Sequence, residues 1–323
     1  MRRRQVATIR CSRQRPAATG MISPSGFFAD NPYCFRGEAR RKRRTRGIMR
    51  DAFEGKVCVV TGAASGIGRA VAINLASRGA ALAISDVNEA GLAETRAMMN
   101  APASNRIRVD RLDVADAAAI ERYAALIKES LGEADYVFNI AGLTRVGTFE
   151  ETPLSSFEKI MDVNFWGVVR MSKAFLPQLI ATKGGLINIS SLFGFIGYAG
   201  QAHYCASKFG VRGFSETIAQ ELEPKGVRVT SVHPGGVATA IARNAAVDAM
   251  PAQYTEKSEI DARFDKAAIT SPERAAEIIL DGAAKGRRRV VVGRDAKVAS
   301  FIQRLFPESY WRKLTPFLPT DVT

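Results

Sequence analysis

From residue 55 onward, short apolar runs alternate with stretches whose apolar positions recur every three or four residues. The runs are Val57–Thr61, Ala81–Asp86, Ile107–Asp113, Tyr136–Ile140, Gly185–Ser190, Val227–Val232 and Arg289–Val292. Apolar runs with little alternation suit strands whose sheet is covered on both faces. Between them lie helical patterns at Gly66–Arg78, Glu89–Met99, Asp116–Ser130, Phe157–Thr182, Tyr204–Leu222 and Pro272–Ala284. Pro177 lacks an amide donor and predicts a bend in the longest of them. Strand and helix in turn predict an α/β protein, a single doubly wound domain over residues 53–293 with a mainly parallel seven-stranded sheet flanked by helices.

Two stretches depart from that rhythm. Residues 237–270, which carry Met250, Tyr254 and Phe264, are too long for an ordinary connection and predict a substrate loop within the domain. Residues 294–323 place Phe301, Ile302, Leu305, Phe306, Trp311, Leu314, Phe317 and Leu318 among Arg304, Arg312 and Lys313. An amphipathic C-terminal tail of this kind can make peripheral contact with a membrane, cover a substrate mouth or meet a partner subunit. Pro307, Pro316 and Pro319 interrupt a long interfacial helix and favour packing.

Composition alters the picture only at the N-terminus. The net charge of +14 suggests nucleic acid until it is located. Residues 1–50 hold thirteen Arg and one Lys against Asp30 and Glu38, or +12, so the remaining chain carries +2. No aromatic platform accompanies the charge, which argues against a nucleic-acid partner. The basic segment 1–50 has no hydrophobic periodicity. It is expected to reflect an upstream start, with translation beginning at Met49; a disordered basic arm and a targeting presequence are the alternatives. No run is long enough for a transmembrane segment. Cys11, Cys34, Cys58 and Cys205 show no disulfide or zinc spacing, and His203 and His233 are the only histidines. A metal site is not expected, and a reducing, cytoplasmic setting is.

The candidate chemistry begins where the first strand ends. Gly62, Gly66 and Gly68 allow a tight turn and a close backbone approach, and the helix that opens there offers free amides to a pyrophosphate. Asp86 ends the second strand, where a carboxylate can accept hydrogen bonds from ribose hydroxyls and repel a 2′-phosphate. Ser65, Val87 and Asn88, which would face that phosphate, are not basic, so NAD is expected over NADP. Asp113 can bond an adenine amino group or cap the following helix. Farther on, Tyr204 and Lys208 stand four apart on one helical face, thirteen residues after Ser191. An ammonium beside a phenol favours the phenolate, and a serine hydroxyl can orient a substrate oxygen. Ser190 could equally end a strand; the spacing to Tyr204 selects Ser191. His203 is expected in a supporting or surface role, and His233 as structural.

Together, Thr61–Gly68, Asp113-Val114, Asn139-Ile140-Ala141-Gly142, Asn164, Ser191, Tyr204/Lys208 and Pro234-Gly235 resemble the short-chain dehydrogenase/reductase family over roughly residues 53–293. Ile140 departs mildly from the family's usual Asn-Asn-Ala-Gly. The resemblance implies a Rossmann-type fold and reversible hydride transfer between a nicotinamide cofactor and a secondary alcohol or ketone. It implies cofactor contacts at Gly62, Ser65, Gly66, Ile67, Gly68, Asp86, Asp113, Val114, Asn139, Ala141 and Gly142, and at Tyr204, Lys208, Pro234, Gly235, Val237 and Thr239. Asn164, Ser191, Tyr204 and Lys208 would be catalytic, with Asn164 holding a water and Lys208 bonding the nicotinamide ribose. It also implies a homodimer or homotetramer. Leu143, Phe193, Phe195, Ile196 and Tyr198 flank the expected reacting centre and predict a substrate with an apolar body: a hydroxysteroid, retinoid or long-chain compound, with a small acyloin still open. Arg145 and Arg243 are the candidates for a substrate clamp. A catalytically silent NAD(H)-binding sensor of the same fold is the alternative function.

Overall fold

The computed structural model describes residues 51–99, 106–239, 241, 245–250 and 256–314. Segment 1–50, Arg243, Tyr254 and residues 315–323 lie outside them.

Seven strands form one parallel sheet: β1 (Val57–Thr61), β2 (Ala81–Asp86), β3 (Ile107–Arg111), β4 (Tyr136–Asn139), β6 (Gly185–Ile189), β7 (Arg228–Pro234) and β9 (Arg289–Val292). Their order is β3-β2-β1-β4-β6-β7-β9. The fold is thus of the doubly wound Rossmann type. Alternate residues explain why β1 is apolar throughout. Cys58 and Val60 enter one core, against α1 (Gly66–Ser77) and α8 (Pro272–Ala284). Val57 and Val59 enter the other, against α3 (Ala117–Leu131), α5 (Gly167–Thr182) and α6 (Ala202–Leu222). Both side-chain sets of a central strand are buried, so neither can be polar. Chain order reverses at β1, whose neighbours are β2 and β4, and a crevice opens outside the carboxyl ends of the strands at such a switch.

The longest helical pattern is broken, though not at Pro177. It begins at Leu154 as α4 (Leu154–Met161), passes through a π-helical turn at Asp162–Trp166 and resumes as α5, inside which Pro177 lies. Hydrophobic periodicity does not register a one-residue change of pitch, so the sequence reads as one rod. Two further short strands, β5 (Arg145–Val146) and β8 (Ala246–Val247), pair in parallel and tie the loop after β7 to the loop after β4. Loop 237–270 also contains α7 (Lys257–Ala267), and Val237 bridges Thr270 at its base.

The C-terminal segment is helical: α9 (Arg294–Leu305) and α10 (Tyr310–Leu314). Ala296, Ala299 and Leu314 are buried against Leu192, Phe195 and Ile196, and the Tyr310 hydroxyl accepts the Gly197 amide at 2.9 Å. One face of the tail therefore packs on the body of the domain. Among the described residues no helix is long and apolar enough to cross a membrane.

Candidate active site

A cleft of about 670 Å³ runs along the carboxyl ends of the strands, from the β2–β3 end to the start of α6. Gly62, Ser65, Gly66, Ile67 and Gly68 line it. Gly62 has φ +69°, and a Cβ there would stand 2.7 Å from the Ala141 nitrogen; one at Gly68 would collide with the Gly62 carbonyl. Only glycine lets these two turns close on each other. Thr61 Oγ1 accepts the Ile140 and Ala141 amides at 3.1 and 3.2 Å, which fixes the turn after β4 to the turn after β1. Ser65 precedes α1 in extended conformation and its side chain does not cap the helix. The first amides of α1 therefore face the cleft as an anion site.

At the far end Asp86 accepts the Ala64 amide at 3.1 Å through one oxygen and the Asn88 amide at 3.0 Å through the other. Both bonds leave lone pairs for ribose hydroxyls. Arg111, exposed and in strand register with Asp86, also lines the cleft, a cation that sequence reading missed. Only strand pairing brings it beside Asp86. Asp113 lines the cleft and accepts the Ala115 amide, while Asp116 caps α3; the alternative role for Asp113 is thereby excluded. Val114 lines the cleft beside the start of α5. Asn139 does not reach it. Its side-chain amide donates to Asn188 Oδ1 at 2.9 Å and Ser172 Oγ at 3.3 Å inside the fold. These residues present a glycine cradle, helix amides and a carboxylate with lone pairs to spare, a donor and acceptor set that fits a dinucleotide.

Ser191, Tyr204 and Lys208 line the same cleft, with Gly142, Pro234, Gly235, Val237 and Thr239. Lys208 is buried and donates to the Ile189 carbonyl at 3.1 Å; its Nζ stands 5.6 Å from the Tyr204 ring centroid. Burial pushes the Tyr204 phenol up to about 12, opposed by a hydrogen bond with Ser191. Burial pushes the Lys208 ammonium down to about 8. Loss of water therefore outweighs mutual attraction for this pair, and the expected lowering of the phenol by Lys208 is not found among the protein's own groups. Asn164 lies in the π-helical turn, fully buried. It accepts the Leu143 amide at 2.8 Å, donates to the Leu143 carbonyl at 2.9 Å, and adjoins Gly142 and so Lys208. It shapes the wall from behind rather than lining it. π-Turns recur where a helix must aim a side chain at a site.

The surroundings sort the remaining candidates. Ser190 Oγ donates to the Lys208 carbonyl at 2.8 Å, which holds α6 to the sheet. His233 is buried, with Nδ1 3.1 Å from the Ser191 carbonyl and Nε2 3.0 Å from Ser231 Oγ; burial lowers it to about 4. It steadies the backbone of Ser191, as a structural histidine. Phe193 meets Tyr204 edge-on at 6.2 Å and stacks on Tyr198 at 5.0 Å, and Leu143 lines the cleft. Phe195 and Ile196, expected there, are buried under the C-terminal helices instead.

Arg145 is no free clamp. Its Nε lies 2.9 Å from both oxygens of Asp248, which is buried and also accepts Ser156 Oγ at 2.8 Å. His203, expected in a supporting or surface role, is buried 3.9 Å from Asp248 and packs on Phe157. Another contact escapes sequence reading because its partners lie far apart along the chain. Asp295 of α9 accepts the Gly236 amide at 2.6 Å, and the Val292 carbonyl accepts the Gly235 amide at 2.9 Å. The turn after β7 is thus held from the C-terminal segment.

Comparisons with known proteins agree with this arrangement. The family model described as short chain dehydrogenase matches residues 56–249. The chain is 46% identical over 264 residues to a putative oxidoreductase SadH of Mycobacterium tuberculosis, covering 81% of this chain and 94% of that protein. It is 34% identical over 201 residues to the mitochondrial D-beta-hydroxybutyrate dehydrogenase of Rattus norvegicus, covering 60% and 57% respectively. A short-chain dehydrogenase/reductase from Burkholderia phymatum, solved in complex with NAD, superposes with a TM-score of 0.71 at 26% identity, over 80% of this chain and 95% of that one.

Proposed function

The chain belongs to the short-chain dehydrogenase/reductase family of nicotinamide-dependent oxidoreductases, and from that membership we propose that it interconverts a secondary alcohol and its ketone, with NAD preferred over NADP. The observation that carries the reading is the convergence of Ser191, Tyr204 and Lys208 on the cleft that the glycine turn and Asp86 also line. When bound, the nicotinamide supplies the hydride acceptor or donor. Tyr204 holds the proton that leaves or joins the substrate oxygen, and Ser191 orients that oxygen. A phenol near 12 is protonated at neutral pH and is ready to donate, which fits carbonyl reduction; oxidation must draw that proton away and gains from alkaline conditions. Lys208 would bond the nicotinamide ribose, and Asn164 fixes the Leu143 backbone beside Gly142, against which the Lys208 side chain lies.

Asp86 supports NAD through its free lone pairs and its charge; Arg111 opposes that preference, so the margin is narrow. Leu143, Ile241 and the Phe193–Tyr198 stack support an apolar substrate body. Loop 237–270 is the substrate loop of a domain spanning residues 53–293, and the segment from 294 onward completes its cofactor turn through Asp295. Trp166 and Phe209, exposed on the helices that carry Asn164 and Tyr204, support a homo-oligomer formed through that surface.

The test follows NADH formation and consumption by the purified protein over secondary alcohols and ketones, from acyloins to hydroxysteroids, retinoids and long-chain compounds. NADP is run in parallel and Tyr204→Phe serves as control. Turnover lost in the control supports the reading. NADH binding without turnover across the panel overturns it in favour of a cofactor-binding sensor.

A further inference from the structure

Ser191 and Tyr204 are joined by a segment that rests on the C-terminal helices. Leu192, Phe195 and Ile196 are buried against Ala296, Ala299 and Leu314, and Tyr310 packs on the same cluster. Toward the body of the domain the Phe195 ring stacks on His233 at 4.0 Å, and the Arg212 guanidinium lies 4.8 Å over it. These packing anchors end at Ile196. Gly197 is exposed and gives its amide to the Tyr310 hydroxyl at 2.9 Å. With no side chain to bury, a glycine is held through its backbone.

What that bond steadies is aromatic. Tyr198 follows Gly197 directly and stacks on Phe193 at 5.0 Å, the ring planes 12° apart. Phe193 is half-buried, packs on the same cluster and stands edge-on to Tyr204 at 6.2 Å. A substrate oxygen held by Ser191 and Tyr204 therefore leaves an apolar body beside this pair. Each ring keeps its place as far as its backbone does. Phe193 is tied at its amide to Ser191 Oγ at 3.1 Å, and the Tyr198 end is tied through Gly197 to Tyr310.

On the reading of Ser191 and Tyr204 as the reacting pair, on which this rests, we propose that Tyr310 determines substrate specificity. By holding the Gly197 backbone it sets the Phe193–Tyr198 pair where a bulky apolar body meets it. Tyr310 lies beyond residues 56–249, the stretch that the family model matches, so the common pattern does not include it. The hydroxyl is the part that addresses the segment: a Cβ built on Gly197 would meet that oxygen at 3.5 Å. Phenylalanine in its place keeps the packing and loses the acceptor. A neutral hydrogen bond is worth a factor of roughly two to ten.

The experiment compares the full chain with Tyr310→Phe on a ketosteroid and a long-chain methyl ketone, each against acetoin as the small substrate. The ratio of kcat/KM, bulky over small, should fall about threefold to tenfold, mainly through KM, with NADH Kd within about twofold. Phe193→Leu should lower the same ratio. The double variant should fall no further than Phe193→Leu alone, because the hydroxyl acts through the aromatic pair. A readout independent of turnover is the change in NADH emission as the bulky ketone binds the NADH complex; its Kd should weaken by the same factor. Binding of the ketone without turnover sinks the oxidoreductase reading and, with the weakened Kd, leaves Tyr310 in its role. An unchanged ratio and Kd in Tyr310→Phe, an equal loss on bulky and small ketones, or an additive double variant overturns the proposal. So does an unmodified protein that binds neither bulky ketone.

Discussion

Replacing Arg145 with alanine removes the one cation that holds Asp248, and with it the clasp between β5 and the loop carrying β8. Asp248 has a side chain only 3% exposed, against 23% for Arg145. Removing one partner of a buried pair costs roughly 3–5 kcal/mol. The partial exposure of Arg145 and the surviving Ser156 bond reduce that to about 2 kcal/mol. The cheapest relaxation is for residues 246–250 to lift, so that the stranded carboxylate regains water. Opening of that loop, not global unfolding, should absorb the loss. Two kcal/mol is roughly thirtyfold, expected as a rise in substrate KM, with NADH Kd within about twofold because Asp86 and the glycine turn are not part of the clasp. Steady-state kinetics read the first and NADH fluorescence titration the second, with faster hydrogen exchange at 246–250 as the structural signature. Adding Asp248→Ala should recover part of the loss by removing the stranded charge. The Arg145 hydrogen bond holds Asp248 below the usual carboxylate range, so the clasp's contribution is complete above the unfolded value near 4 and fades only as pH falls through the lower folded one. An unchanged KM, or KM and NADH Kd rising together, would refute the reasoning.

Three further outcomes follow from other sites. Asp86→Ser leaves Arg111 beside a neutral hydroxyl, and the kcat/KM ratio of NADP to NAD should rise at least about tenfold, or ~1.4 kcal/mol; a ratio moving less than twofold removes Asp86 as the discriminator. His233 takes up its proton near 6.5 when unfolded but only at about 4 when folded, so stability should fall by roughly 3 kcal/mol as pH drops between those values. Urea unfolding at pH 7 and pH 4.5 measures it, and His233→Gln should flatten the difference. Asp295→Ala strips a charged acceptor from the Gly236 amide, a bond of about 1.5–3 kcal/mol, and NADH Kd should rise about tenfold with partial recovery in Asp295→Asn. An unaltered Kd would show that the turn after β7 holds itself.

Much of this was readable from the chain because its signals are local. The strands of the sheet announce themselves as doubly buried runs, and Gly62, Gly66 and Gly68 act within one turn of each other. Ser191, Tyr204 and Lys208 were found from spacing along a strand end and a helix, and they line one cleft. What escaped depends on contacts between distant segments. Arg111 meets the cofactor end only through the register of β3 on β2, and Asp295 meets Gly236 across 59 residues. Asp248 and Arg145 are 103 apart, joined by strands of two residues that no periodicity can show. Burial was misjudged where sequence neighbours diverge: Phe193 points to Tyr204, while Phe195 stacks on His233 at 4.0 Å inside the fold. The phenol and ammonium values turned on desolvation, which depends on the whole packed surroundings.

The π-helical turn at Asp162–Trp166 amounts to an α-helix with one residue too many. Each residue of an α-helix advances the face by about 100°, so the surplus puts α4 and α5 out of phase along a nearly common axis. Each half then addresses a different client. Ser156 on α4 bonds Asp248 of the loop after β7, and Gly167 at the head of α5 lies against Val114, which lines the cleft. Asn164 sits at the phase boundary with the Leu143 backbone in its grip. Deleting a single residue there would change composition hardly at all, yet only one of the two halves could keep its partner. A length polymorphism of one residue in this stretch would therefore uncouple loop from cofactor more thoroughly than most substitutions in the cleft itself.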